Sequence, residues 1–108
     1  MKANEYQRLA LTTSSTINKN DLIIQGVMGL CGESGEVIDI VKKAMFQGHE
    51  LDREKIKKEL GDVLRYCATL AEGLETDLES IMIDNIEKLK ERYPKGFSAE
   101  KSIFRKVE

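Results

Sequence analysis

The chain has 108 residues, 41% of them apolar and 33% charged, with a net charge of −2, which describes one ordinary soluble domain. It carries no basic block and no zinc-finger spacing, so nucleic acid is not an expected partner. Met1-Lys2-Ala3-Asn4-Glu5 lacks the apolar run of a signal peptide, and no segment approaches the ~20 apolar residues of a membrane span, so the expectation is a cytoplasmic protein with no membrane partner.

A first helix is predicted from about Ala3 to Thr12, where Tyr6, Leu9 and Ala10 recur at helical spacing. Thr12-Thr13-Ser14-Ser15-Thr16 then breaks it, because hydroxyls compete for backbone hydrogen bonds. The second and longest helix is expected from Asn20 or Asp21 to about Phe46, with Asn20 as its cap. Leu22, Gly26, Gly29, Leu30, Val37, Ile40 and Ala44 form one stripe, with Glu33 in its middle and Glu36 on its edge. Ile24, Met28, Cys31 and Ile38 occupy other faces. A helix apolar on most sides needs cover on most sides, and so small a core implies a second subunit. The glycines at 26, 29, 32 and 35 would let another helix or a ligand come close, and a break between Gly29 and Gly35 is the rival reading.

Gln47-Gly48-His49-Glu50 reads as a loop. Asp52 is the expected cap of a third helix, Arg53 to about Ala71, ended by Gly73. Its stripe is Ile56, Leu60, Val63, Leu64, Cys67, Leu70 and Ala71, with Glu59 on the border and Asp62 one step further round. Thr76-Asp77-Leu78-Glu79 is a capping box that opens a fourth helix, which stops at Tyr93 before Pro94. Leu78, Met82, Ile86, Leu89 and Tyr93 form its predicted buried stripe. Pro94-Lys95-Gly96-Phe97 reads as a turn, and Ile103 and Phe104 in the short tail are candidates to pack on a neighbour. Cys31 and Cys67 lack CxxC spacing and read as buried small hydrophobes. The fold class is all-α, a four-helix-bundle-like protomer of one domain over residues 1–108, completed by dimerisation.

Two acidic pairs carry the chemistry: Glu33-Ser34-Gly35-Glu36 and Glu59-Leu60-Gly61-Asp62. Residues three apart share a helix face. Both pairs lie in or along apolar stripes, where a carboxylate needs a partner, a proton or a metal. The competing readings are ordinary surface acid and salt bridges to Lys or Arg. Oxygen-only ligation by Glu33, Glu36, Glu59 and Asp62 points to Mg2+, with Mn2+ as a substitute. No histidine follows either pair at i+3, so the Glu-x-x-His pairs of di-iron bundles are missing, and His49 stands alone in a loop. Magnesium held by carboxylates commonly engages phosphates. Asn85, Lys88 and Arg92, on one side of the fourth helix, are candidate phosphate donors, and Lys43 is a weaker one. A solvated basic face at a helix C-terminus is the plain alternative.

Gly29-Leu30-Cys31-Gly32-Glu33-Ser34-Gly35-Glu36 followed by Glu59-Leu60-Gly61-Asp62 resembles the ExxE…ExxD signature of MazG-like nucleotide pyrophosphohydrolases. Asn85-Ile86-Glu87-Lys88-Leu89-Lys90-Glu91-Arg92-Tyr93-Pro94 resembles a later segment of the same family, and the match covers roughly residues 22 to 97. The resemblance implies an all-helical enzyme that splits a nucleoside triphosphate into monophosphate and pyrophosphate. It implies Glu33, Glu36, Glu59 and Asp62 as Mg2+ ligands and Asn85, Lys88 and Arg92 as phosphate contacts. It also implies a homodimer or dimer-based homotetramer and a house-cleaning role against non-canonical nucleotides. Water would attack the α-phosphorus; which Glu acts as general base is open, and Glu36, at the edge of the apolar stripe, is the favoured choice, with a role wholly as a ligand the alternative. Arg65 departs from the pattern, since many relatives carry an aromatic such as Trp there, and this bears on base recognition. Tyr6, Leu9 and the loop of residues 12–16 are places where a base or sugar from the neighbouring subunit could sit. Two further readings remain: a non-enzymatic metal-binding helical oligomerisation or regulatory module, and a Mg2+ enzyme acting on another phosphate-rich small molecule.

Overall fold

The computed structural model describes residues 1–97 and 99–104. Among the described residues five helices follow in order: α1 (Ala3–Leu11), α2 (Lys19–Phe46), α3 (Arg53–Gly73), α4 (Leu78–Arg92) and a short α5 (Ala99–Ile103). The chain is all-α, with no strand among the described residues. No helix among them is long and apolar enough to cross a membrane. The chain divides into two compact units, residues 1–78 and residues 79 onward.

The first unit is built on an α2–α3 hairpin. Lys19 meets Glu72, Gly26 meets Leu70, and Gly29 meets Tyr66, so the partners run down one helix as they run up the other. That pattern makes the two helices antiparallel. Leu22 of α2 and Ala68 and Ala71 of α3 are almost wholly sealed from water and form the centre of the core with Ile40. The close approach depends on two glycines. A Cβ at Gly26 would lie 2.7 Å from Leu70 Cβ, and one at Gly29 would fall on the Tyr66 ring. These glycines therefore serve contact between helices, and α2 runs unbroken through residues 29–35.

Helix α1 lies against α3 and is fixed by a buried glutamine. Gln7 Nε2 donates to the Thr76 carbonyl at 3.1 Å, and its Oε1 accepts from the Leu78 N–H at 2.8 Å. One side chain thus satisfies two backbone groups of the turn after α3.

Several local expectations are corrected. Asn18, not Asn20, caps α2: its side chain accepts from the Asp21 N–H at 3.1 Å, because the helix starts earlier, at Lys19. Asp52 caps α3 as expected, accepting from the Lys55 N–H at 3.0 Å. Gly73 does not end α3 by a left-handed turn. It is the last helical residue, packed against Ile23, and the positive φ falls on Glu75. Helix α4 starts at Leu78, so Asp77 immediately precedes it, and Gln7 takes the Leu78 N–H. Cys31 is exposed and Cys67 half-buried, and both are free thiols; burial raises the Cys67 thiol above its usual range.

The apolar stripes are only partly covered. Leu60 and Leu64, assigned to the core face of α3, are 55% and 52% exposed. Met82, Ile86 and Leu89, the expected buried stripe of α4, are exposed as well. A stripe at helical spacing marks a face that wants cover; it does not say that the same chain provides it. On α2, Met28 and Ile38 are each 69% exposed, as a face left for another surface would be. In the second unit, Tyr93 and Phe97 rings stack at 5.9 Å across a turn whose Gly96 adopts a φ of 85°. Ile103 and Phe104 are exposed; residues 105–108 lie outside the described residues.

Candidate metal centre

The antiparallel hairpin sets α2 residue 33 opposite α3 residues 59–62. Continuing the sequence of facing pairs beyond Gly29 and Tyr66 leads to this level. Carboxylate oxygens of Glu33, Glu59 and Asp62 all lie within 4.8 Å of one another, and all three side chains are half-buried. Glu36, one turn on from Glu33 and exposed, reaches Glu59. All four predicted acids therefore gather at one level of the hairpin.

The electrostatics are those of a site short of positive charge. Oε2 of Glu33 and Oε2 of Glu59 are buried with no hydrogen-bond partner. Ionised carboxylates only accept, so neighbouring acids cannot satisfy one another without a shared proton or a cation. Among the described residues, none of the four forms an ion pair with Lys or Arg, which removes the salt-bridge reading. The Glu36 carboxyl is held above its ordinary range, first by its hydrogen bond to Glu59 and then by the charge of Glu59, while Lys55 acts in the other direction. Glu59 is also raised, first by its hydrogen bond to Glu33, with its bond to Glu36 opposing. Both shifts report acids crowded together. The donor set is wholly oxygen, and its orphaned oxygens suit a hard divalent cation.

The glycines near the acids differ from those deeper in the hairpin. A Cβ at Gly32, Gly35 or Gly61 would meet nothing within 4 Å. The surface beside the carboxylates is therefore open.

The other predicted residues fall in several places. Lys43 Nζ pairs with Asp39 at 2.9 Å and Lys42 joins the same carboxylate at 3.1 Å, so Asp39 is held below the usual aspartate range and Lys43 is already engaged. His49 is exposed in the α2–α3 loop. Asn85 and Lys88 are exposed on α4, and Arg92 is half-buried at its end; all three belong to the second unit. Beside the acids, the Tyr6 hydroxyl donates to the Gly61 carbonyl at 3.4 Å. Its pKa is raised, first by burial and next by the charge of Asp62, with Arg65 opposing. Arg65 Nε donates to Thr13 Oγ1 at 3.1 Å, and a terminal nitrogen donates to Tyr66 Oη at 3.2 Å. Periodicity alone does not disclose that arrangement, although Asp62 and Arg65 stand three apart on one helix.

The model of the MazG nucleotide pyrophosphohydrolase domain matches residues 25–97, a span that holds the four acids and α4. The chain belongs to this family. The Gene 37 protein of Mycobacterium phage L5 is similar to this MazG chain, with 37% identity over 73 residues. That alignment covers 64% of each protein, so the chain spans less than two thirds of the length of this relative. No solved structure matches the chain. The matched family is one of nucleotide pyrophosphohydrolases, which are hydrolases, and the acidic cluster lies within the matched span.

Proposed function

We propose that this MazG chain hydrolyses nucleoside triphosphates to nucleoside monophosphate and pyrophosphate with Mg2+ as cofactor and Mn2+ as a substitute. The observation that carries the reading is the pair of buried, partnerless oxygens on Glu33 and Glu59 beside Asp62, inside the matched span. Glu33, Glu59 and Asp62 would hold the ion, with Glu36 completing the set. When bound, the ion neutralises phosphate charge and acidifies water.

The protein's own groups account for the rest. Glu36, at the open edge of the cluster, is the general base in this reading. Crowding by Glu59 strengthens its hold on a proton. Water loses a proton to Glu36 and attacks the α-phosphorus; the bond from that phosphorus to the bridging oxygen breaks, and pyrophosphate leaves. Asn85, Lys88 and Arg92 serve as phosphate donors, the arginine offering a planar fork. Lys43 joins them only by releasing Asp39. The reading further takes residues 1–108 as one cytoplasmic MazG domain that works as a homodimer or dimer-based homotetramer and clears non-canonical nucleotides.

Hydrolysis of a nucleotide panel with Mg2+, with phosphate and pyrophosphate measured separately, tests the reaction. In 18O-labelled water the label should appear in the monophosphate. Label in pyrophosphate, or release of diphosphate and orthophosphate, overturns the proposed reaction.

A further inference from the structure

Arg65 makes no ion pair among the described residues. Its stem rises from α3 one turn after Asp62, on the same face. An Asp and an Arg so spaced commonly pair. Here no carboxylate among the described residues lies within ion-pair distance of the guanidinium. Two neutral hydroxyls hold it instead, Thr13 Oγ1 at 3.1 Å from Nε and Tyr66 Oη at 3.2 Å from a terminal nitrogen. The guanidinium carbon also stands 4.8 Å from the centre of the Tyr66 ring. Tyr66 is fixed in turn by its ring packing on Gly29.

The result is a half-buried cation locked by three contacts, with its other terminal nitrogen free of any hydrogen bond within the described chain. Fixing a flexible side chain in advance lowers the entropy lost when it meets a ligand. The position is next to the carboxylate centre: Tyr6, bonded to the Gly61 carbonyl, feels the charges of both Asp62 and Arg65. A guanidinium held without an ion pair keeps its fork available to an anion, and a planar fork suits phosphate oxygens. A neutral base edge would leave the charge unanswered. Thr13 lies outside residues 25–97, so part of this arrangement comes from beyond the matched span.

We propose that Arg65, pinned by Thr13 and Tyr66 one helical turn from Asp62, contacts an oxygen of the substrate's phosphate chain. The inference rests on the nucleotide reading of the carboxylate centre.

Calorimetry in Mg2+ with three probes tests it: a non-hydrolysable α,β-imido nucleoside triphosphate, inorganic tripolyphosphate and the parent nucleoside. Arg65→Gln should weaken the two phosphate probes by about ten- to a hundred-fold and leave the nucleoside unchanged. Arg65→Met, which keeps the packing of the stem, replaces it if Gln disturbs the far-UV helical signal. Thr13→Val removes the latch and keeps the cation, so it should lose only a few-fold. A loss in Thr13→Val equal to that of Arg65→Gln means a purely structural latch and overturns the proposal. A loss confined to the nucleoside assigns Arg65 to the base and also overturns it. If the wild type hydrolyses nucleotides and Arg65→Gln binds tripolyphosphate like the wild type, this inference fails and the nucleotide reading stands. If the wild type neither binds nor hydrolyses any nucleotide, both fail.

Discussion

Glu33 and Glu59 each bury an oxygen to which nothing donates, and the cost of that arrangement fixes several expected outcomes. Like charges held together disfavour the ionised state, so the apo protein should gain stability when Glu59 becomes Gln. The same substitution should abolish Mg2+-dependent hydrolysis while far-UV dichroism stays helical. Melting curves with and without saturating Mg2+ check the pair of effects, since the gain should vanish once the ion is bound. The pH dependence follows from the direction of the shifts. Glu36 and Glu59 both hold protons more tightly in the folded chain than the ordinary glutamate value of 4.5. Between 4.5 and their raised values the folded state carries more protons than the unfolded state. Apo stability from this cluster is therefore lost as pH rises through that window. A plot of Tm against pH should show that fall in chelator, and Glu59→Gln or saturating Mg2+ should flatten it. The glycines give a contrast of opposite sign. Gly29→Ala drives a methyl onto the Tyr66 ring, and overpacking of this kind costs ~1–3 kcal/mol, more than the ~1 kcal/mol of helix propensity gained. Gly32→Ala meets only open space, so propensity acts alone and Tm should rise.

At the level of elements, the sequence announces its helices through periodicity and its ends through short polar residues. Asp52 was legible as a cap because it stands directly before the apolar period of α3. Asn18 was not, because Asn20 is chemically equal and closer to Leu22; backbone geometry chooses between them. The acids were legible as neighbours because Glu33 interrupts one stripe and Glu59 borders another, each with an acid three residues on, and antiparallel packing then brings Glu33, Glu59 and Asp62 together. Nothing in a single helix period records which partner a stripe will meet, which is why Leu60, Leu64, Met82 and Ile86 were assigned to a core that does not cover them. The hold of Thr13 on Arg65 spans 52 residues of chain and leaves no local pattern, although its other partner, Tyr66, is the next residue. Gln7 is the same kind of feature: a polar residue in a short helix that proves to be buried and bonded at both ends of its amide. Gln7→Leu should destabilise the protein by about 2–4 kcal/mol, because two backbone groups of the turn lose partners at once. Urea unfolding measures this directly, as a lower midpoint with an unchanged slope.

For the whole molecule, the distribution of apolar surface decides what the chain is as a particle. Ile24, Met28 and Ile38 project from α2 and Leu60 and Leu64 from α3, all exposed in one hairpin that already has a core of Leu22, Ile40, Ala68 and Ala71. Further large apolar side chains stand exposed along α4. Single exposed apolar residues are common on soluble proteins, whereas contiguous runs on long helices mark surfaces that associate. Burial contributes roughly 1.5–3 kcal/mol per large apolar side chain, so a handful covered by a second copy outweighs much of the entropy lost on association. A dimer or larger assembly is therefore the expected state, and sedimentation equilibrium should find no folded monomer at micromolar concentration. Met28→Lys and Ile38→Lys each put a charge among the exposed apolar side chains of α2, and a charge buried without a partner is strongly opposed. Each variant should dissociate the assembly or lower its melting temperature, with nucleotide hydrolysis falling alongside. Cys31, exposed on that helix, offers an independent readout: its reaction with a thiol reagent should be slow in the wild type and fast in Met28→Lys. A compact, active wild-type monomer with a fast-reacting Cys31 would show that the α2 face is solvent-facing by design, and the assembly argument would fail.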